Sequence, residues 1–248
     1  MSTTTNVLIT GPNRGIGNGL LKAYLSRPNH IVLAGVRNPS ASQHLETIPK
    51  AANTTLIIVK IDNEDDSTAA AAISSLKTTH NITKLDLVIA NAGILDYYGP
   101  VAGTPPAQMA RHYQVNVIAS LVLFEAVLPL LNAAPSPAKF VQISSAVGSL
   151  TIMPNIAFHC TPYGASKAAS TYLVRKIHLE NPGLIAFPVH PGWVQTDMGN
   201  SGAEAAGIEK AEITLEESIN GLVSVIDKAT KEETSGKLMN YDGNVLPW

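Results

Sequence analysis

Short apolar segments alternate with longer helical segments along almost the whole chain. The helical patterns cover 16–26, 67–79, 106–131, 163–180 and 215–228. The apolar segments between them are predicted strands at 6–10, 31–36, 56–61, 85–90, 139–144, 184–190 and 237–240. Because these strands are apolar almost throughout, we expect both faces of their sheet to be covered. The alternation therefore predicts an α/β fold, a doubly wound parallel sheet of about seven strands with helices on both faces.

The composition indicates one large domain. Of the 248 residues 45% are hydrophobic and 15% are charged, and neither a linker nor a repeat divides them, so we predict a single domain over 1–248. The 17 basic and 19 acidic residues give a net charge of −2 without any basic run, which argues against nucleic-acid binding. The one cysteine, Cys160, allows neither an intrachain disulfide nor a cysteine metal site. The histidines show no ligand spacing, so no metal is expected.

The sequence also bears on the compartment. The first residues carry no basic region typical of a signal peptide and lead directly into the first predicted strand. The longest apolar stretch, 117–131, contains Ser120, Glu125 and Pro129, so we interpret it as a core helix and not as a membrane span. We therefore expect a cytoplasmic protein without a membrane partner.

Tyr163 and Lys167 lie four residues apart in a predicted helix, so their side chains project from the same face. A cation beside a phenol stabilises the phenolate and lowers the pKa of tyrosine from about 10 toward neutrality. Such a phenol can donate or accept a proton at neutral pH. The same spacing also arises by chance, so its meaning depends on what the rest of the chain places around it.

A glycine-rich turn follows the first predicted strand and precedes the first predicted helix. Its glycines, Gly11, Gly15 and Gly17, have the spacing G-x-x-x-G-x-G. Glycines here let the backbone turn tightly and let a pyrophosphate approach the free N–H groups of the helix N-terminus. An ordinary strand–helix turn is the alternative, but the position after the first strand favours dinucleotide binding. The turn is not a P-loop, because no Gly-Lys-Ser/Thr follows.

Two arginines indicate which dinucleotide is bound. Arg37 follows the second predicted strand, where an acidic residue would hold the ribose hydroxyls of NAD, and Arg14 lies inside the glycine turn. Two cations at this place favour the 2′-phosphate of NADP. The alternative is a pair of solvated surface arginines.

In these motifs and their order, the chain resembles a short-chain dehydrogenase/reductase of the compact single-domain type, over nearly its whole length. The resemblance implies a Rossmann-type fold and a catalytic tetrad of Asn116, Ser145, Tyr163 and Lys167. A narrower similarity, to small carbonyl reductases and to fungal ketoreductases acting on aromatic polyketides, rests on segments such as 144–149. The implied cofactor-binding residues are Gly11, Asn13, Arg14, Gly15, Ile16, Gly17, Arg37, Asp62, Asn91, Ala92, Gly93, Tyr163, Lys167, Pro191, Gly192, Val194 and Thr196.

The resemblance implies NADPH-dependent reduction of a ketone or another carbonyl, with an aromatic or polyketide-derived ketone as a candidate substrate. Tyr163 would donate a proton to the carbonyl oxygen as hydride reaches the carbon, and Ser145 would hydrogen-bond that oxygen. Lys167 would lower the pKa of Tyr163 and bind the nicotinamide ribose. Asn116 would hold a water that links Lys167 to solvent. Strand alternation should turn Ser144 to the opposite face.

One spacing departs from the family pattern. Ser145 and Tyr163 are 18 positions apart, which is wider than usual in the family. We therefore expect the segment 150–160, named here the substrate loop, to overhang the substrate, with a surface bulge as the alternative. The segment carries Met153, Pro154, Ile156 and Phe158.

A second substrate loop is predicted at 197–212, where glycines and small residues indicate a mobile segment that closes over bound ligand. Candidate pocket residues elsewhere could equally belong to the core. They are Leu95, Tyr97, Trp193 and Met198.

Other functions are less consistent with the residues. A non-catalytic NADP-binding sensor on the same fold is the main alternative, but such proteins typically lose the tyrosine or the lysine, and this chain keeps both. An enoyl reductase uses a wider Tyr–Lys spacing, and position 170 here is Ser170. A sugar epimerase usually needs a longer C-terminal substrate region. A Cys–His nucleophile made of His159 and Cys160 is disfavoured, because no orienting acid lies beside them.

The resemblance also implies a homodimer or homotetramer. The helices at 106–131 and 163–180 would pair between subunits. The apolar stretch 119–131 could supply that contact or could be buried in its own subunit.

Overall fold

The computed structural model describes residues 4–156 and 158–248. Within those ranges the chain forms eight strands and seven α-helices. The strands are β1 Thr5–Thr10, β2 His30–Val36, β3 Thr55–Lys60, β4 Leu87–Ala90, β5 Lys139–Ile143, β6 Ile185–His190, β7 Leu238–Asn240 and β8 Val245–Leu246. The helices are α1 Gly15–Leu25, α2 Ser67–His80, α3 Pro106–Tyr113, α4 Ala119–Asn132, α5 Thr161–Glu180, α6 Asp197–Ala205 and α7 Leu215–Lys228.

All the strands join one sheet in the order β3-β2-β1-β4-β5-β6-β7-β8. The first seven run parallel, and β8 pairs antiparallel with β7. The predicted doubly wound parallel sheet is therefore confirmed. The sequence pattern does not show β8, because this strand is only two residues long and is not buried.

Successive residues of each strand enter two separate cores, one on each face of the sheet. In β1, Val7 and Ile9 pack with α1 and α7, whereas Leu8 packs with α2, α4 and α5. A side-chain period of two combined with two buried faces requires a continuously apolar strand. This explains the sequence pattern from which the sheet was predicted.

The helix predicted at 106–131 consists of α3, a π-helical turn at Gln114–Ile118 and α4. By length and hydropathy the span Pro106–Asn132 could cross a membrane, and 56% of its most apolar window is buried inside the fold. Leu123, Val127 and Leu131 pack in the core, as the interpretation of a core helix expects.

A change of winding direction positions the site. The chain runs from β1 outward to β3, then returns to place β4 on the other side of β1. In open parallel sheets, ligands bind at the carboxyl ends of the strands where the winding reverses. The glycine turn after β1 and the Asn91-Ala92-Gly93 segment after β4 meet at this point.

Candidate active site

The glycine turn is held by the segment that follows β4. The side-chain amide of Asn91 donates to the carbonyl oxygens of Thr10 and Gly11, at 2.9 and 3.2 Å. Gly11 has φ +65°, and a Cβ at Gly17 would overlap the Gly11 carbonyl and the Asn91 amide. Both positions therefore require glycine. The turn leaves the N-terminus of α1 open to an anion, as a pyrophosphate requires.

One cleft of about 1210 Å³ opens above the ends of the central strands. Every cofactor-binding residue named from the sequence borders it, as does Ser145. Asp62 begins the segment after β3, and its carboxylate accepts the backbone N–H of Glu64 at 3.1 Å. The glycine turn and the Pro191-Gly192 segment border the same cleft. The cleft is large enough for a dinucleotide together with a substrate.

The two arginines proposed for a 2′-phosphate border this cleft and are exposed. The Arg14 side chain lies 3.4 Å from Asp197, and the Arg37 side chain lies 3.8 Å from Glu64. Ion pairs this exposed contribute little free energy, so a phosphate can compete with either carboxylate. Both cations are therefore available to a ligand in the cleft.

Ser145, Tyr163 and Lys167 meet on one side of the cleft. The Ser145 side chain lies close enough to the Tyr163 phenol to lower its pKa. The Lys167 ammonium lies 5.5 Å from the centroid of the Tyr163 ring and donates to the Ile143 carbonyl at 2.8 Å. Helix α5 presents both residues because Pro162, in its first turn, lets it begin just before Tyr163.

The pKa of Tyr163 departs from the sequence prediction. Burial raises this pKa above its usual value, more than the hydrogen bond from Ser145 lowers it. Burial also lowers the pKa of Lys167, to about 8. The Lys167 ammonium donates to the Ile143 carbonyl and is not among the causes of this shift, so a lowering of the phenol pKa by Lys167 stays a prediction. The phenol is protonated at neutral pH, as a proton donor must be.

Asn116 is buried and lies outside the set of residues that border the cleft. Its side-chain oxygen accepts the N–H of Ile94 at 2.9 Å, and its amide donates to the Ile94 carbonyl at 3.0 Å and to the Ser166 hydroxyl at 2.9 Å. The π-helical turn carries Asn116 at this point. Asn116 thus fastens the segment after β4 to α5, beside Lys167. Its role in holding a water stays a prediction.

The neighbouring serines face in opposite directions, as predicted. The hydroxyl of Ser144 is hydrogen-bonded to Thr171 at 2.7 Å, on the buried side of α5. The hydroxyl of Ser145 faces the cleft and also accepts the N–H of Val147 at 3.2 Å. Both serines border the cleft, but the Ser144 hydroxyl is already paired with Thr171, so the Ser145 hydroxyl is the better placed to contact a substrate.

The substrate loop forms part of the cleft wall. Ile152, Asn155, Ile156 and Phe158 border the cleft, whereas Met153 is 56% exposed and Pro154 is also exposed. Ile156 and Phe158 lie where the sequence analysis expected. Met153 and Pro154 do not, because a short 3-10 turn at Met153–Asn155 directs them to solvent.

The segment predicted as a mobile loop at 197–212 contains helix α6. Thr196 caps this helix by accepting the N–H of Gly199 at 3.1 Å. A Cβ at Gly199 would overlap the Val194 carbonyl, so this glycine serves close packing. The glycines of this segment predicted mobility from the sequence, and their packing role becomes visible only in the fold.

Three aromatic rings from separate segments meet beneath α6, and we name them the aromatic wall: Tyr98, Phe158 and Trp193. The Phe158 ring centroid lies 6.0 Å from that of Tyr98 and 5.6 Å from that of Trp193. A Cβ at Gly202 would lie 3.6 to 3.7 Å from all three residues.

Among the candidate pocket residues, Leu95, Trp193 and Met198 border the cleft. Tyr97 instead lies against Gly99.

A family model described as short chain dehydrogenase matches residues 5–207. The chain belongs to this family. Its Tyr163–Lys167 pair, its glycine turn and its Asn91-Ala92-Gly93 segment all fall within the match. The family resemblance found in the sequence is thereby confirmed.

Characterised relatives of this short-chain dehydrogenase include fungal ketoreductases. The chain is 45% identical to the norsolorinic acid ketoreductase of Dothistroma septosporum, over 100% of its length and 94% of the relative. It is 42% identical to the corresponding enzyme of Emericella nidulans, with coverage of 98% and 94%. The narrower resemblance to fungal ketoreductases is also confirmed.

Solved structures of carbonyl reductases have the same fold as this chain. The NADPH-bound carbonyl reductase from chicken fatty liver superposes with a TM-score of 0.86 at 30% identity, over 100% of both chains. Carbonyl reductase Sniffer of D. melanogaster gives a TM-score of 0.84 at 27% identity, with coverage of 99% and 100%. The short-chain dehydrogenase described here is therefore an oxidoreductase that acts on C=O and CH–OH groups.

Sequence reasoning missed one cation of this short-chain dehydrogenase. Arg111, on α3, borders the cleft and pairs with Glu64 at 3.1 Å and with Asp96. Glu64 in turn faces Arg37. No motif surrounds Arg111, so its place in the cleft becomes visible only when α3 packs beside the segments after β3 and β4.

Cys160 lies close to the catalytic tyrosine in sequence but has a different role. Burial raises the pKa of its thiol to about 11, so the thiolate that a nucleophile needs is not formed at neutral pH. Cys160 instead pairs with Gly99 in an isolated bridge between two chain segments. The geometry agrees with the decision against a Cys–His nucleophile.

Proposed function

We propose that this protein is an NADPH-dependent ketoreductase whose substrate is a flat, aromatic, polyketide-derived ketone. The observation that carries the proposal is one juxtaposition. A protonated phenol, Tyr163, lies beside Ser145 in a cleft that also contains the glycine turn and the rings of Phe158 and Trp193.

The residues of the cleft fit a phosphorylated dinucleotide. Positions 11 and 17 admit only glycine, and this leaves the backbone open to a pyrophosphate. Arg14 and Arg37 are exposed cations at the cleft, suited to a 2′-phosphate. The NADPH-bound chicken carbonyl reductase, whose fold is shared, supports this choice. When bound, the nicotinamide supplies a hydride.

The side chains of the chain supply the proton and the orientation. Tyr163 keeps its proton at neutral pH, so it can deliver it to a carbonyl oxygen that becomes negative as the carbon is reduced. Ser145, which borders the cleft beside that phenol, is placed to hydrogen-bond the same oxygen. Lys167 lies beside the ring as a cation that stabilises the phenolate left behind.

The cleft wall and the relatives support the substrate class. Ile156, Phe158 and Trp193 give the cleft an apolar wall that contains two rings. Aromatic rings favour offset or tilted stacking against a second flat ring system. The two relatives reported above are named for reduction of norsolorinic acid, and they align over nearly the whole chain.

We also propose that the enzyme is a cytoplasmic homodimer or homotetramer. Helices α4 and α5 carry apolar side chains at the surface, with Leu121 39%, Tyr172 69% and Leu179 63% exposed. Exposed apolar groups on neighbouring helices are suited to an interface. Light scattering on the purified protein should give a mass of two or four chains, and a monomer would contradict this assembly.

Reduction is tested by mixing the enzyme with NADPH and a panel of ketones and quinones that ranges from acetophenone to phenanthrenequinone. We expect NADPH to be consumed fastest with the polycyclic compounds, and more slowly when NADH replaces it. Tight NADPH binding without consumption by any member of the panel would instead support a sensor.

A further inference from the structure

Trp248 holds the substrate loop from outside the cleft. The backbone N–H and the hydroxyl of Thr151 both donate to the Trp248 carbonyl oxygen, at 3.0 and 2.7 Å. Thr151 is the second residue of the substrate loop, and Ile152, which borders the cleft, follows it directly. The position of the first cleft-facing residue of the loop therefore depends on Trp248.

The ring of Trp248 connects this attachment to the catalytic helix. The guanidinium of Arg175 lies 4.6 Å from the centroid of the indole, within the range of a cation–π interaction. Arg175 is on α5, the helix that carries Tyr163 and Lys167. Trp248 thus joins the substrate loop to the helix that supplies the proton donor.

The far end of the substrate loop has its own attachment. The N–H of Gly99 donates to the His159 carbonyl at 3.0 Å, and Gly99 and Cys160 form a parallel bridge. The cleft-facing residues Ile156 and Phe158 lie between the two attachments. Leu246, two residues before Trp248, borders the cleft itself.

We propose that Trp248 is a positioning residue that sets the specificity of the enzyme for large ketones, together with Arg175. The proposal rests on the ketoreductase function above. Binding a ligand against a loop carries the entropic cost of ordering that loop. Because Trp248 already orders the loop, a ketone long enough to reach Phe158 binds without that entropic cost and therefore with higher affinity. A small ketone held at Ser145 and Tyr163 does not.

The test compares four variants with the wild type. Trp248→Ala removes the ring, Trp248→Phe retains an aromatic face, and Arg175→Gln removes the cation. Val245→Ala is the matched control, because Val245 is 55% exposed, lies three residues before Trp248 and does not border the cleft. Steady-state kinetics with phenanthrenequinone and acetophenone are combined with NADPH affinity and with amide hydrogen exchange of the peptide 150–156.

For Trp248→Ala we expect KM for phenanthrenequinone to rise about tenfold, while KM for acetophenone and the affinity for NADPH change less than about twofold. Exchange in 150–156 should become faster. For Trp248→Phe, KM for phenanthrenequinone should return most of the way to the wild-type value. Arg175→Gln should raise this KM by less than Trp248→Ala does, and Val245→Ala should match the wild type.

Equal KM increases for both ketones, or weakened NADPH binding, would assign Trp248 a general structural role and overturn the proposal. Unchanged hydrogen exchange in the peptide 150–156 would also overturn the proposal. If the wild type reduces neither ketone, the ketoreductase function itself fails. Hydrogen exchange still decides in that case whether Trp248 holds the loop.

Discussion

The two ends of the cleft are built in different ways. The cofactor end consists of one short turn, Gly11 to Gly17, fastened to Asn91 by two hydrogen bonds. The substrate end brings together rings from three distant segments, at Tyr98, Phe158 and Trp193. The first end depends on backbone shape and the second on side-chain packing. Changes to the first should therefore affect every substrate, and changes to the second should discriminate among substrates.

The proton donor lies where the two ends meet. Replacing Tyr163 by Phe removes the phenolic proton and keeps the ring, so turnover of every ketone should fall by about 1000-fold. NADPH affinity, measured by fluorescence titration, should stay within about twofold, because the glycine turn is untouched. Turnover close to the wild-type value would show that another group donates the proton.

A methyl group at Gly17 should damage the cofactor end. Gly17→Ala places its Cβ against the Gly11 carbonyl, so NADPH affinity should fall by about 100-fold. Gly183→Ala is the control, because a Cβ there meets no atom within 4 Å. Isothermal titration of both variants with NADPH checks this, and equal affinities would contradict the assigned turn.

Charge reversal at Arg37 should change cofactor choice without affecting the substrate end. Arg37→Asp removes a cation from the proposed phosphate site, so the ratio of kcat/KM for NADPH over NADH should fall by about tenfold or more. Lys77→Asp makes the same charge change on the exposed surface of α2 and should leave the ratio unchanged. A constant ratio in both variants would place the 2′-phosphate elsewhere.

A change confined to the aromatic wall should discriminate among substrates. Phe158→Leu keeps an apolar side chain but loses the ring, so kcat/KM for phenanthrenequinone should fall about fivefold. The value for acetophenone and the affinity for NADPH should stay near wild type. An equal fall in kcat/KM for both ketones would contradict the distinction between the cofactor end and the substrate end of the cleft.

The smallest expected effect concerns stability. Burial lowers the pKa of Lys167 to about 8 from 10.5, so burying the charged ammonium destabilises the fold. This penalty is complete below pH 8 and disappears as the pH rises toward 10.5, so stability gains with pH across that window. Lys167→Met should be more stable than wild type at about pH 7 in urea unfolding, and the difference should shrink by about pH 10. A constant difference would contradict the buried charge.

The comparison also explains what the sequence could predict. Strands that enter two cores must be apolar throughout, so each strand was visible as a continuous apolar run such as Val7, Leu8 and Ile9. The glycine turn was visible because all its essential atoms lie within a few residues. Helix α7 was found with its exact ends, since Thr214 caps it by accepting the N–H of Glu217.

The missed features all depend on contacts between distant segments. Gly199 and Gly202 indicated mobility, yet they let α6 approach Val194 and the aromatic wall. Arg111 enters the cleft only through the packing of α3. The pKa of Tyr163 rises because burial outweighs its polar contacts, and burial is a property of the whole fold.

Hydride transfer itself provides the most direct test of the central claim. NADPH carrying deuterium at its transferable position would be mixed with the wild-type enzyme and 9-fluorenone, a flat ketone whose alcohol cannot lose the new C–H bond by tautomerisation, and the product analysed by mass spectrometry. We predict one deuterium on the carbinol carbon, formed together with one equivalent of NADP, and none with Tyr163→Phe over the same period. Bound NADPH with no deuterium in any product of the wild-type enzyme would contradict the account.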